Sequence, residues 1–307
     1  TSSPDEPDSR EVSPRHYPGP MSAPDDQSRA GEVPDDAAAA ADPVHPAYGV
    51  LREVTPFASV LLCDNPGVME LDGTNTWILR APGSTECVVV DPGPPRHKKH
   101  VKKVAAQPGI ALTLITHRHF DHTGAIDALA KRTGAPTRAR LRSHCRDAAP
   151  LRDREVIEIA GLRITVLFTP GHTGDSVSYL VEHDGQRAIL TGDTILGSGT
   201  TVIDPSDGSL LDYMGSLNRL IVDGAEAALL PAHGPDHPTL EPVARFYKAH
   251  REERIDQIQA ALDEMGVSAK KAKPMKVVRK VYADVDKKLW PAARMSVKAQ
   301  LEYLRQL

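Results

Sequence analysis

Aromatic residues are scarce in this 307-residue chain: four Phe, seven Tyr and two Trp make up 4% of it. A core built on stacked rings is therefore excluded, and burial has to come mainly from Val, Leu, Ile and Ala. A fully buried Val, Leu or Ile contributes roughly 1.5–3 kcal/mol. Cysteine is scarcer still. Cys63, Cys87 and Cys145 are odd in number and far apart, which argues against a disulfide framework or a Cys-based zinc site and fits ordinary thiols in a cytosolic protein. No apolar run approaches the ~20 residues that a membrane helix needs, and no apolar stretch follows a basic start as it does in a secretory signal. A cytoplasmic location without membrane attachment is expected.

What is present has ordinary globular proportions, 40% hydrophobic and 25% charged, in a chain long enough for one large domain and a small one. The net charge of −4 is unevenly spread: residues 1–46 carry ten Asp/Glu and three Arg, and the remainder carries 31 acids and 34 bases. Residues 1–46 are rich in Pro, Asp, Ser and Ala and bury too little apolar surface to offset their ordering entropy, so a disordered acidic tail is expected there. Met21 is an alternative start within it, and 37–41 offers at most a helical turn. The mildly basic body is compatible with an anionic substrate without demanding one.

Past residue 46 the texture changes to short apolar runs bounded by turn residues. Strands are expected over 57–62, 76–79, 87–90, 111–116, 162–168, 176–181, 187–190 and 227–230, with helices over 124–132 and 211–222. Such interleaving predicts an α/β domain with helix-covered sheets over 47–245. After that come three helical patterns, 251–265, 275–282 and 295–304, punctuated by Pro274 and Pro291. They predict a small helical appendix over 246–307.

The strongest chemical signal is Thr116-His117-Arg118-His119-Phe120-Asp121-His122, four potential metal ligands between a strand and a helix. A tight loop can aim His117 and His119 at one point and Asp121 and His122 at another. Imidazole suits zinc, and a carboxylate adds the charge that holds a second divalent ion. Pro170-Gly171-His172-Thr173, Thr191-Gly192-Asp193-Thr194 and Ala232-His233-Gly234 each put one more ligand type just after an expected strand, beside a small residue. Singly, such a His or Asp is more often a cap or turn residue; in this order along one chain they form a set.

With these motifs in place the chain resembles metallo-β-lactamase superfamily hydrolases over roughly residues 50–240. The family pattern is HxHxDH, then a His, an Asp and a final His, and every member has its counterpart here. The resemblance implies an αββα sandwich in which His117, His119 and His172 bind one zinc ion, Asp121, His122 and His233 bind another, and Asp193 bridges the two. Mn2+ or Fe is also compatible with such donors. Gly73-Thr74-Asn75-Thr76, Asp91-Pro92-Gly93, the stretch from Gly192 to Thr200 and His250-Arg251-Glu252-Glu253-Arg254-Ile255 resemble the lactamase-β-like-2 group, which implies a C-terminal winged-helix-like domain. That group includes a single-stranded RNA endonuclease, and related sequences act as thioesterases on carrier proteins.

The implied chemistry is attack by a metal-bridging hydroxide, with Asp121 orienting it and accepting its proton. Ser198, Gly199, Thr200 and Thr201 form a polar loop after Asp193 that offers donors to a substrate oxygen, and Asn75 is a further candidate for the same cleft. His144, His183 and His237 read as surface or loop residues. The basic run Lys270, Lys271, Lys273, Lys276, Arg279 and Lys280 offers a track for a phosphate backbone, although few aromatics accompany it; a solvated helix face is the alternative. The first expectation is therefore cleavage of single-stranded RNA. The alternative is hydrolysis of an acyl-CoA or acyl-carrier-protein thioester. A β-lactamase is disfavoured by the absence of a secretory signal, and a purely binding regulator by the intact ligand set. Oligomeric state is not legible.

Overall fold

A computed structural model describes residues 47–307; the tail expected over 1–46, including Met21 and the turn at 37–41, lies outside the described residues. Two sheets face each other. The first has six strands in sequence order: β1 (Leu51–Thr55), β2 (Ala58–Leu62), β3 (Asn75–Leu79), β4 (Cys87–Val90), β5 (Ile110–Leu114) and β6 (Thr137–Arg138). The second runs β11-β10-β9-β8-β7, built from β7 (Val156–Ile159), β8 (Leu162–Phe168), β9 (Val177–His183), β10 (Gln186–Gly192) and β11 (Ala228–Pro231).

Alternation along the strands explains the layering, because successive side chains point to opposite faces. Val60, Leu79, Val88 and Val90 of the first sheet meet Ile164, Val166, Val181 and Leu190 of the second in one buried core. Their neighbours Leu61, Ile78 and Val89 face outward and pack on α1 (Lys98–Ala105) and α3 (Ile126–Thr133) through Val104 and Leu129. On the far side Leu167, Leu180 and Ile189 are covered by α4 (Leu210–Asp223) and α5 (Glu241–Glu264). Central strands buried on both faces read as continuous apolar runs, and the result is the expected αββα sandwich.

Sequence reading missed β1, β7, α1 and the two-residue β6. The first two are edge strands with half-exposed, partly charged faces, and α1 carries four lysines around a narrow buried stripe of His100, Val101 and Val104. The helix expected from residue 251 starts ten residues earlier, at Glu241, because Pro242 sits in its first turn, where no N–H is needed. α5 is therefore continuous across residue 246: Val243, Ala244 and Tyr247 pack on the sandwich, while Ile258 and Leu262 pack with α6 (Pro274–Val281) and α7 (Trp290–Gln306) through Val277, Val297 and Leu301. No helix among the described residues is long and apolar enough to cross a membrane.

Candidate metal centre

Four strands of the sandwich deliver the centre from their C-terminal ends. β5 runs into Thr116–His122, β8 into His172, β10 into Asp193 and β11 into His233. Close approach of these segments requires glycine at two places. At Gly192, φ is +53° and a Cβ would stand 2.8 Å from the Thr116 Cβ; at Gly171, φ is +142° and a Cβ would overlap the Tyr213 backbone.

The donor atoms fall into two groups. His117, His119, His172 and Asp193 have ligand atoms within 4.8 Å of one another, and so do Asp121, His122 and His233. In the first group His119 presents Nδ1, which lies 3.0 Å from His117 Nε2 and 3.1 Å from His172 Nε2. Asp193 faces both groups with different atoms. Its Oδ2 is 3.7 and 3.6 Å from the Nε2 atoms of His117 and His172, and its Oδ1 is 3.6 and 3.4 Å from those of His122 and His233. Asp121 Oδ2 lies 2.9 and 3.1 Å from His122 and His233 Nε2. The structure thus brings together all seven residues singled out as ligands.

A surrounding layer turns each ring. The Nδ1–H groups of His122, His172 and His233 donate to Asp91 Oδ2, the Val202 carbonyl and the Gly73 carbonyl, each at 2.9 Å. His117 Nδ1–H donates to Thr116 Oγ1 at 3.0 Å, and that hydroxyl donates to Asp91 Oδ2 at 2.7 Å. Thr74 Oγ1 donates to Asp121 Oδ2 at 3.0 Å. Such partners fix the orientation of each ring and turn its other nitrogen inward, where a cation can take it. Sequence analysis assigns Thr74, Asp91 and Thr116 no role in the site, although each lies in a motif it quotes. Asp91 adopts a left-handed φ of +54°, a conformation that Asp tolerates better than most residues.

Electrostatics agree with a cation site. Burial would raise the carboxyls of Asp121 and Asp193, but the surrounding imidazoles outweigh it and hold both below the usual carboxylate range. Burial opposes charge on His122 and His233 as well. Asp121 and Asp193 overcome it, pushing His122 well up and His233 to about 10. Burial and neighbouring imidazoles instead hold His117 and His119 down. His122 Nε2 and Asp193 Oδ1 are buried with no well-aligned hydrogen bond among the described residues and face only other atoms of the donor set, Asp121 Oδ2 and His233 Nε2 among them. Five imidazoles and two carboxylates whose donor atoms converge in two groups fit divalent metal ions.

Two expectations are corrected. Asn75 does not face the cleft: it is buried, and its Nδ2 donates to the carbonyls of Pro231 at 3.1 Å and Gly234 at 2.9 Å, bracing the loop that carries His233. His237 is no surface residue; it is buried and its Nε2–H donates to the Gly197 carbonyl at 2.6 Å. Ser198, Gly199 and Thr200 line a cavity of about 100 Å³ beside His172 and Asp193.

Over the centre lies a cleft of about 630 Å³ walled by Pro66, Met69, Pro94, Pro95 and Phe120, with Asn65, Glu70 and His97 at its polar positions. A second cavity of about 360 Å³ meets it at Met69, His119 and His172. Phe120 is 80% and Val68 97% exposed, so apolar side chains stand at the rim.

Comparison with known proteins agrees with this geometry. Residues 69–233 match the family model of the metallo-beta-lactamase superfamily, and residues 274–307 match that of the beta-lactamase associated winged helix domain. A beta-lactamase-like protein 2 homolog of Drosophila melanogaster is 31% identical over 276 residues, 83% of this chain and 89% of that protein. An atrochrysone carboxyl ACP thioesterase of Aspergillus chevalieri is 31% identical over 219 residues, 70% of this chain and 68% of that protein. Among solved structures, a beta-lactamase domain protein from Burkholderia ambifaria superposes with a TM-score of 0.70 at 20% identity, covering 90% of this chain and 92% of that one. The ligand cluster, the two-sheet sandwich and these matches together make the chain a member of the metallo-beta-lactamase superfamily.

Proposed function

We propose that the protein is a thioester hydrolase working with two zinc ions, one in each ligand group, with Asp193 between them. The observation that carries this reading is the lining of the cleft. Its walls are apolar, and outside the ligand set acids outnumber fixed cations: Glu70 stands in the main cleft, and Asp204 and Asp207 in the adjoining cavity. Arg118, the one arginine lining these cavities among the described residues, is held by Asp207. A phosphate backbone would find no unpaired cationic side chain in these walls, whereas an acyl chain would bury against Pro66, Met69, Pro94, Pro95 and Phe120. The similarity to a protein named as an ACP thioesterase supports the same reading.

Zinc held here supplies Lewis acidity and a water nucleophile available near neutral pH. The chain's own residues do the positioning. Every hydrogen bond and ion pair of Asp121 among the described residues runs through Oδ2, so Oδ1 is the oxygen left to orient a water and accept its proton. Thr74, itself held by Asn65 Nδ2 at 2.9 Å, keeps that carboxylate in place. Water adds to the thioester carbonyl, the C–S bond breaks, and a carboxylic acid and a thiol leave.

RNA cleavage, the first expectation from the sequence, is the second reading here. It is favoured by one observation: Lys270, Lys271, Lys273, Lys276, Arg279 and Lys280 are all exposed, and of these only Lys280 has an ion-pair partner among the described residues, Glu264 at 2.5 Å. A paired assay on zinc-loaded protein separates the two. Acyl-thioester hydrolysis that is insensitive to salt and lost in His119→Ala and Asp121→Ala is the expected result. Single-stranded RNA cleavage that falls steeply with salt, with thioesters inert, would reverse the order.

A further inference from the structure

A thioester has two halves that diverge from one carbonyl, so an enzyme that seats that carbonyl on a metal centre needs two exits from it. The cavities above the centre provide them. The main cleft and the second cavity share Met69, His119 and His172 and part from there. Their chemistries differ. The main cleft is walled by prolines and Phe120. The second cavity presents Arg118, Ser206 and the carboxylates of Asp204 and Asp207, with Val202 and Met295 as its other new walls. A hydrocarbon chain placed in this second cavity would strip water from those polar groups and give nothing back. A chain carrying amide groups matches them, because carboxylates accept from amide N–H and Arg118 and Ser206 donate to amide C=O.

Resting on the thioester reading above, we propose that the site is bipartite: the acyl chain lies in the main cleft, and the thiol half, a linear arm bearing amide bonds of the pantetheine type, lies in the second cavity under Met295. A volume of about 360 Å³ suits such an arm.

Met295 gives the C-terminal helices a part in choosing the substrate. It stands in the first turns of α7, whose Val297 and Leu301 are buried among the C-terminal helices. Lys298, one turn further on, is exposed. Hydrogen bonds from Ser206 hold the carboxyl of Asp204, one of the cavity's walls, below its ordinary value, and Lys298 adds to that shift.

The test uses the full-length zinc-loaded protein and one acyl group on four thiols: N-acetylcysteamine (a truncated arm), pantetheine, coenzyme A and a carrier protein. The readout is kcat/KM for each long-arm thioester divided by that for the truncated one. Met295→Trp narrows the second cavity and is expected to lower this ratio about tenfold. Phe120→Ala should instead shift the preference for acyl length by the same factor on every thiol. A preference for coenzyme A or for the carrier protein identifies the natural source of the arm. Zinc content and a thermal melt confirm that each variant is folded. If the wild type hydrolyses thioesters but Met295→Trp leaves the ratio unchanged, the bipartite site is wrong and the thioester reading stands. If no thioester is hydrolysed, both fail together.

Discussion

The hydroxyl of Thr201 donates to the backbone carbonyl of Asp193 at 2.7 Å. Thr201 is itself gripped from the other side, where Arg251 Nη2 donates to its carbonyl. Arg251 is 8% exposed, makes no ion pair among the described residues and lies over the Tyr213 ring at 5.4 Å. One turn earlier on α5, the Tyr247 hydroxyl accepts from Leu196 N–H at 3.0 Å. The helix that leads into the C-terminal region thus holds the loop behind the Asp193 carboxylate. Thr201→Val should cost about 1 kcal/mol of stability and weaken zinc retention against a chelator. Arg251→Met, which keeps much of the packing and drops the charge, should do the same. Unchanged chelator competition in both variants would show that the loop holds Asp193 without them.

Asp207 offers a second test. His119 is the one ring of the five whose outward nitrogen has no hydrogen bond among the described residues. Its Nε2 stands 3.8 Å from Asp207 Oδ2, an atom that also accepts from Arg118 Nε at 2.9 Å. Ligand-orienting carboxylates of this kind are worth roughly 10–100-fold in metal affinity. Asp207→Asn should therefore lower affinity in the His117–His119–His172 group by about tenfold, read as zinc released on titration with a chelator. Retention equal to that of the parent protein would reduce Asp207 to a partner of Arg118 alone.

His100 sets a pH dependence away from the metal ligands. Thr76 Oγ1 donates to the Asp91 carbonyl at 2.6 Å, so at 2.8 Å it accepts from His100 Nε2–H, and Nδ1 is left buried without a partner. Burial, together with His97 and Lys103, pushes this imidazole down to about 4. The unfolded chain therefore binds the extra proton first, and stability falls as pH drops from about 6.5 towards about 4. Between pH 7.5 and 5 this one group should remove about 2 kcal/mol. Urea melts of metal-free parent and His100→Gln proteins at the two pH values isolate it, and equal losses in the two would refute the assignment.

The convergent donor set was legible because candidate metal donors declare themselves by type and spacing. His117, His119, Asp121 and His122 lie in one short run, and His172, Asp193 and His233 each stand after a strand whose apolar pattern could be read. The strand of Asn75 is buried along its whole length, so alternation could not tell which way that side chain points. His237 does lie in a loop, between β11 and α5, but nothing local shows that its ring turns inward to Gly197. α5 lost its first ten residues to Pro242, which breaks a helix in its middle but not in its first turn.

The order of short motifs along the chain determined the sandwich and the donor set, since both depend on residue types at fixed local spacing. Only the tertiary structure decided that Asp193 turns one oxygen to each ligand group, that Asp91 and Thr74 hold the ligands, and that Met295 walls a cavity beside His172. Those relationships are distances between segments far apart in sequence, and they are set by how two sheets and the C-terminal helices pack, which no local pattern encodes.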